Sequence, residues 1–462
     1  MRKTKVIATI GPSSFSLKVL KDFKKRSVDC IRINTAHGDF DQYKQIIETI
    51  QEVGGFTVML DIKGPDIRVR LNQDLKINKS TKVKFYFNTK KSPSFSYNFS
   101  KDLKTNNKIF FDNGLLEGRI ISINKDYAEI KFNEDFTLKP NKGVNIPNTQ
   151  IKAPKLSKKD LQAINFAKKH DVDYIALSFV RDKYDVLNLK NNLKNTNIGI
   201  ISKIENWQGV KNIDDILKLS DGVMIARGDL GVEIEEQRIP LIQKQILKKA
   251  NSKAKISIVA TQLLETMIKN KSPTRAEISD TANAILDGAD ALMLSGETAV
   301  GDHPLAVLKV VEKTALEVEK NIDHNLSLEE KENIYGEISK SVYKLSKSLP
   351  VNKIVTLTNS GFSSSLISRF RLNTPIIAVT TDKKTSKKIA LQWGVLPVLV
   401  DKKLNKYLTG RIAKVLVKKQ ILDKKEIAVF FAGIDSLDKK VLNILEIHRI
   451  NDLLQLSSKK VS

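Results

Sequence analysis

The sequence predicts an α/β protein: an eight-stranded (β/α)8 barrel, a small β domain inserted into it, and a separate α/β domain towards the C-terminus. Three observations predict this. Short apolar runs alternate with helix-length amphipathic stretches, and most runs are continuous Val, Ile, Leu and Ala, as suits parallel strands buried on both faces. The stretch 69–151 breaks that pattern with polar–apolar alternation and closely spaced turn residues. The chain is 462 residues long, a prior of about three domains at ~150 residues each.

The elements follow in order. Barrel strands are expected at Lys5–Ile10, Cys30–Asn34 and Thr57–Asp61, with a helix over Asp41–Val53. The insert comes next, its alternation clearest at Lys82-Val83-Lys84-Phe85-Tyr86-Phe87. The barrel resumes with strands Asp173–Phe179, Ile198–Ile204, Gly222–Ala226, Ile256–Thr261 and Ala291–Leu294. Helices are expected between them at Lys158–His170, Tyr184–Leu193, Pro240–Lys253 and Thr274–Leu286. Eight such units make a TIM barrel. The pattern then restarts with strands Lys353–Thr358, Ile376–Thr380, Val395–Val400 and Ile427–Ala432. The expected domains are 1–68 and 152–325 for the two parts of the barrel, 69–151 for the insert, and 326–462 for the last domain.

Composition excludes several classes. Hydrophobic residues at 41% support large cores and argue against a disordered chain. A single cysteine, Cys30, excludes a disulfide framework or CxxC site and reads as an inert core thiol. Apolar runs stay under about ten residues, short of the ~20 that span a bilayer. The opening residues enter a strand without an apolar signal region, so a soluble cytoplasmic protein is expected. Net charge is +26, from 78 basic and 52 acidic residues, which suggests anionic partners. Yet the lysines are dispersed, outnumber arginines, and lack interleaved aromatics. They read as a solvated surface, with neither nucleic acid nor membrane as the main partner.

In a TIM barrel, chemistry sits at the C-terminal ends of the strands. Polar residues gather there: Arg32 to Gly38, Asp61 to Arg68, Ser202 to Asn206, Ala226 to Gly231, Ala260 to Gln262 and Leu294 to Thr298. Glu205 and Asp229 are carboxylates on neighbouring strand ends, the usual means of holding Mg²⁺ with waters and substrate oxygens. Lys203 lies two residues before Glu205 and faces the same way on an extended segment. It could act as a point charge for a transferring phosphoryl group or as a Schiff-base nucleophile. Arg32 and Arg68 carry forked donors for phosphate oxygens. The Gly228–Gly231 turn lets backbone N–H groups approach an anion. Thr261 is a candidate donor or relay to a reacting carbon. Each feature alone has a plainer reading: a Lys-x-Glu surface ion pair, a capped turn, a structural His37. The argument rests on their joint occurrence in strand order. GxxxxGK[ST], HExxH and GxGxxG motifs are absent.

Taken together, these segments resemble the pyruvate kinase family. The resemblance is carried by Lys3 to Pro12, Leu60-Asp61-Ile62-Lys63-Gly64-Pro65, Phe111-Asp112-Asn113-Gly114-Leu115, Ile201 to Asn206, Ala226 to Gly231, Ala260-Thr261-Gln262, Pro273 to Glu277 and Leu294 to Ala299. It is looser in the C-terminal domain. The resemblance implies transfer of a phosphoryl group from phosphoenolpyruvate to ADP, giving pyruvate and ATP. It implies that Lys203 stabilises the group in flight, that Glu205 and Asp229 bind Mg²⁺, and that Arg32 and Arg68 hold phosphate. The Gly228 and Asp229 backbone would receive the substrate carboxylate. Thr261 would help protonate the enolate, through water and Ser295. Asn34 and His37, with Arg68, would lie towards the nucleotide. The insert would be a small β-barrel lid, and the assembly a homotetramer.

Two expectations drawn from the resemblance stay open. Family members commonly bind K⁺, and here the corresponding residues are Asn34, Ala36, Asp61 and Ile62 (through its carbonyl). Ala36 removes a hydroxyl ligand, whereas Asp66 keeps an acid where K⁺-independent members tend to carry Lys. The C-terminal segment Thr356 to Ser364, with Thr356, Thr358, Ser360 and Ser363, resembles a sugar-phosphate effector loop, and reads equally as a capped helix start. The loop from Gly433 to Asp438 lacks the Arg and Trp that some effector-responsive members use. Two other readings compete: a Mg²⁺-dependent lyase on pyruvate enolate, and a non-catalytic binding protein. The insert, Arg32, Arg68 and Lys203 favour phosphoryl transfer over the first. Intact Lys203, Glu205, Asp229 and Thr261 count against the second.

Overall fold

The computed structural model describes residues 2–64, 66–87, 90–147, 149–152, 156–322, 334–401, 409–435 and 441–459. Eight parallel strands close a barrel: Lys5–Thr9, Cys30–Asn34, Thr57–Ile62, Tyr174–Leu177, Gly199–Ile204, Gly222–Ala226, Ile256–Ala260 and Ala291–Leu294. The ring closes with Lys5 beside Ala291. Every residue of these strands except Asn34 is buried, which is why their sequences run apolar without alternation. The fourth strand is shorter than the expected Asp173–Phe179. Phe179 has φ of 53° and gives its N–H to Glu205 at 2.7 Å, so the strand has ended before it. Thr274 is not in its helix but caps it, paired with Glu277 in a reciprocal box over Arg275–Leu286.

The lower rim of the barrel carries a regular device. Asp29, Asp173, Asp221 and Asp290 each stand just before an even-numbered strand. Each Oδ2 accepts the N–H of the second residue of the preceding odd strand: Val6 at 2.8 Å, Val58 at 2.9 Å, Ile200 at 2.8 Å and Ser257 at 2.9 Å. The C-terminal domain grips two of these carboxylates. Arg371 donates to Asp290 at 2.9 Å, and Lys384 lies 3.6 Å from Asp173. Arg371 also donates to Asn251 and to the Gly288 carbonyl, each at 2.6 Å. Trp393 packs into the same junction and gives its N–H to Asp290.

The insert pairs as a seven-stranded sheet running from Val144–Asn145 at one edge to Val69–Arg70 at the other, with a two-stranded ribbon, Leu75–Ile77 and Phe136–Leu138. Phe85, Phe95, Phe111 and Phe132 form its separate core. The C-terminal domain is a five-stranded sheet in the order Val395–Leu399, Ile376–Thr380, Lys353–Leu357, Ile427–Asp435, Val441–Arg449. The last strand runs antiparallel to its neighbour and was not expected from sequence. Its partner also extends to Asp435, beyond the expected Ala432. The expected domain boundary at 325/326 and residues 436–438 of the second candidate effector loop lie outside the described residues.

Candidate active site

The upper ends of the barrel strands and the inner face of the insert enclose a polar cavity of about 420 Å³. That is the size of a small-molecule site. Arg32, Asn34, His37, Asp61, Arg68, Lys203, Glu205 and Asp229 line it. Ile62, Gly228, Thr261 and Ser295 are not among its lining residues. Gly228 instead lines a neighbouring cleft with Arg227, Gln262 and Asp280. The link to Thr261 runs through Gly228, whose N–H donates to Thr261 Oγ1 at 2.9 Å.

The centre is a buried charge cluster. Lys203 Nζ lies 2.9 Å from Glu205 and 3.3 Å from Asp61, and donates to Ser178 Oγ at 2.7 Å. Arg32 Nε donates to Asp61 Oδ2 at 2.8 Å, and its NH1 reaches Thr9 Oγ1 at 3.0 Å. Burial alone would lower the Lys203 pKa, but Asp61 and Glu205 raise it above the usual value. Lys203 is therefore a held ammonium, suited to act as a point charge rather than as an amine nucleophile. Burial pushes against ionised Asp61 too, and Lys203 with Arg32 overcomes it, so that pKa is lowered. Burial first, and the Asp229 charge next among the raising influences, lift Glu205 to about 7. Burial and Asp61 raise Asp229 as well.

These two carboxylates fit a divalent cation. Glu205 Oε1 is buried without a well-directed hydrogen bond, although its ion pair with Lys203 is close. Oxygen donors with surplus negative charge suit Mg²⁺. Among the described residues no three His, Cys, Asp or Glu side chains converge, so other ligands would be substrate oxygens and waters. The K⁺ candidates fit less well. Asn34 Oδ1 accepts the Ala36 N–H at 3.1 Å, both Asp61 carboxylate oxygens serve Arg32, Lys203 or Ser178, and the Ile62 carbonyl accepts the Ser178 N–H at 3.2 Å.

Several residues of the site were missed by sequence reasoning. Ser178, which bridges Lys203 and Asp61, directly follows the fourth strand, and position at a strand end is the signal that found the others. Gly64 approaches it so closely that a Cβ would meet the Ser178 carbonyl at 2.2 Å. Glu233 lines the cavity and ties barrel to insert, accepting from Asn145 Nδ2 at 2.9 Å. Arg68 reaches the same insert, donating to the Asn141 carbonyl at 2.6 Å while paired with Asp66. In the C-terminal domain, Thr358 Oγ1 accepts the Gly361 N–H at 2.8 Å, and Ser360 is exposed in the same loop. Ser363 is buried at the start of the following helix. Thr356 is removed from the candidate cradle: its side chain is fully buried within the sheet strand.

The chain is similar to known proteins along most of its length. The family model for the pyruvate kinase barrel domain matches residues 1–308, and the model for the pyruvate kinase alpha/beta domain matches residues 336–448. A pyruvate kinase of Staphylococcus saprophyticus is 37% identical over 477 residues, which cover 98% of this chain and 81% of that protein. One from Clostridium perfringens is 39% identical over 420 residues, 86% of this chain and 88% of its own. A crystal structure of a pyruvate kinase from Cryptosporidium parvum superposes with a TM-score of 0.89 at 29% identity, covering 97% of this chain and 96% of that one. With its barrel, insert and C-terminal domain in that order, the chain belongs to the pyruvate kinase family, the phosphotransferases that move a phosphoryl group from phosphoenolpyruvate to ADP.

Proposed function

We propose that this family reaction runs on the charge cluster described above, and the observation that carries the assignment is Lys203, buried between Asp61 and Glu205. Arg32 and Arg68 hold phosphate oxygens through forked donors. Glu205 and Asp229 hold Mg²⁺, which when bound neutralises phosphate charge and orients the two substrates. The Gly228–Asp229 backbone receives the substrate carboxylate, and Asn34, His37 and Arg68 face the nucleotide. An ADP oxygen attacks phosphorus in line while the bond to the enol oxygen breaks. Lys203 offsets negative charge on the group between them. The enolate left behind takes a proton at its methylene carbon, with Thr261 in the proton path together with water and Ser295. The insert excludes water as it closes. Cytoplasmic location, a homotetrameric assembly and a phosphorylated effector at Thr358, Ser360 and Ser363 are part of the same proposal.

The test is pyruvate formation from phosphoenolpyruvate and ADP with Mg²⁺. Lys203→Met should lower kcat by at least about 10³-fold, the scale for losing a placed electrostatic group, in a protein that still folds. A rate within tenfold of the parent would remove Lys203 from the assigned role.

A further inference from the structure

We infer that the Arg227 guanidinium, fixed by Asp280, is a positioning residue that sets the Thr261–Gln262 turn for the proton step. Thr261 and Gln262 are consecutive non-glycine residues with φ of 65° and 52°. A β-branched residue in the left-handed region is strained, and such a conformation persists only where its surroundings impose it. Here the imposing group is visible. Arg227 NH2 donates to the Thr261 carbonyl at 2.7 Å and to the Gln262 carbonyl at 2.9 Å. Nε adds a third bond to the Thr261 carbonyl at 3.2 Å. NH1 is spent on Asp280 at 2.7 Å, which fixes the fork from the far side.

The hydroxyl is aligned by the next residue along the same backbone. Thr261 Oγ1 accepts the Gly228 N–H and donates to the Ala260 carbonyl at 2.6 Å. So Arg227 and Gly228, adjacent in sequence, hold both the carbonyl and the hydroxyl of one residue. Arg227 is buried and lines the neighbouring cleft rather than the main cavity, and all three of its guanidinium nitrogens are engaged by Thr261, Gln262 and Asp280, so it acts through Thr261. A lysine could supply the charge but not the planar fork that meets two carbonyls and a carboxylate at once.

This inference rests on the proposed proton role of Thr261. In that step a C–H bond forms at the enolate carbon as a donor O–H bond breaks, and solvent restores the donor's proton. Its reverse, loss of a methyl proton from pyruvate, isolates the step from phosphoryl transfer. The experiment follows pyruvate methyl exchange in D₂O by proton NMR, with the full-length protein, Mg²⁺ and ATP, beside steady-state kinetics.

If the inference holds, Arg227→Met slows exchange about 10²-fold, the scale of a ~1 Å misplacement, and leaves KM for phosphoenolpyruvate within about threefold. Arg227→Lys should not restore exchange, and Asp280→Asn, a milder loss at a half-exposed residue, should slow it about tenfold. Thr261→Val is the control for the underlying reading. Normal exchange in Thr261→Val ends the proton role of Thr261 and this inference with it. Exchange lost in Thr261→Val but retained in Arg227→Met, or restored in full by Arg227→Lys, overturns the inference alone. If Arg227→Met does not fold, Arg227→Lys and Asp280→Asn decide: exchange at the parent rate in both overturns it, and slowed exchange with unchanged KM sustains it.

Discussion

Replacing Arg371 by Leu should loosen the C-terminal domain from the barrel. Arg371 is 3% exposed and makes four short bonds with NH1 and NH2. Two go to Asn251 and Gly288 of the barrel, one to Asp290, and one back to the Ser368 carbonyl. Leu removes the one cation bonded to Asp290 among the described residues, and that carboxylate has 5% side-chain exposure. Breaking a buried pair from one side costs about 3–5 kcal/mol. Asp290 keeps the N–H groups of Trp393 and Ser257, so the cost belongs at the lower end, about 3 kcal/mol. At roughly 2–4 °C per kcal/mol, unfolding should start about 10 °C lower. The chain has two tryptophans, Trp207 and Trp393, and Trp393 lies in this junction. In a Trp207→Phe background, Trp393 emission followed through a thermal ramp reports the junction itself. A midpoint within 2 °C of the parent, with the same emission maximum, would refute the reasoning.

Other outcomes follow from the site and the rim. Because Ala36 supplies no hydroxyl and Asn34 and Asp61 already serve other donors, K⁺ in place of tetramethylammonium should raise the rate by less than about threefold; Ala36→Ser should increase that ratio, and a strong K⁺ requirement in the parent would contradict the reading. Asp173 has a pKa raised to about 6, chiefly by burial. A carboxyl that holds its proton more tightly when folded contributes stability below its unfolded pKa, and loses it as pH rises through the folded one. Asp173→Asn cannot titrate, so its melting temperature relative to the parent should rise between pH 4 and pH 7, by the equivalent of on the order of 2 kcal/mol. A difference that stays flat with pH would show that Lys384 and Lys387 keep Asp173 ionised throughout.

What the sequence made legible depended on how local the signal was. Barrel strands announced themselves because burial on both faces forces continuous apolar runs, as in Gly199–Ile204. The clustering was legible because strand order places Arg32, Lys203, Glu205 and Asp229 at one rim, where they line one cavity. Lys203 and Glu205 do face the same way, within 2.9 Å. Ser178 escaped notice because a lone serine carries no pattern. The antiparallel strand Val441–Arg449 was missed because the preceding runs all read as parallel. The Arg227 fork could not be foreseen, since it serves a backbone conformation at Thr261 and Gln262 that neither residue type favours. Thr356 could not be told from the other hydroxyls of its segment by type, and its full burial in the strand became visible only in the structure.

The four rim aspartates divide the barrel seams into two kinds. Strands one and two, three and four, five and six, and seven and eight are each stitched by a rim carboxylate, and among the described residues the alternate seams have no such aspartate. A hydrogen bond to a charged group contributes about 1.5–3 kcal/mol, so the stitched pairs should be the last to part. The insert falls within one such pair, between strands three and four. Val58 and Asp173 are 115 residues apart, yet their bond closes the seam at the end opposite the insert. An insert proposed to close over the cavity is thus hung on two strands already tied beneath it, so that such a closure could be spent at the upper loops without prising that seam open.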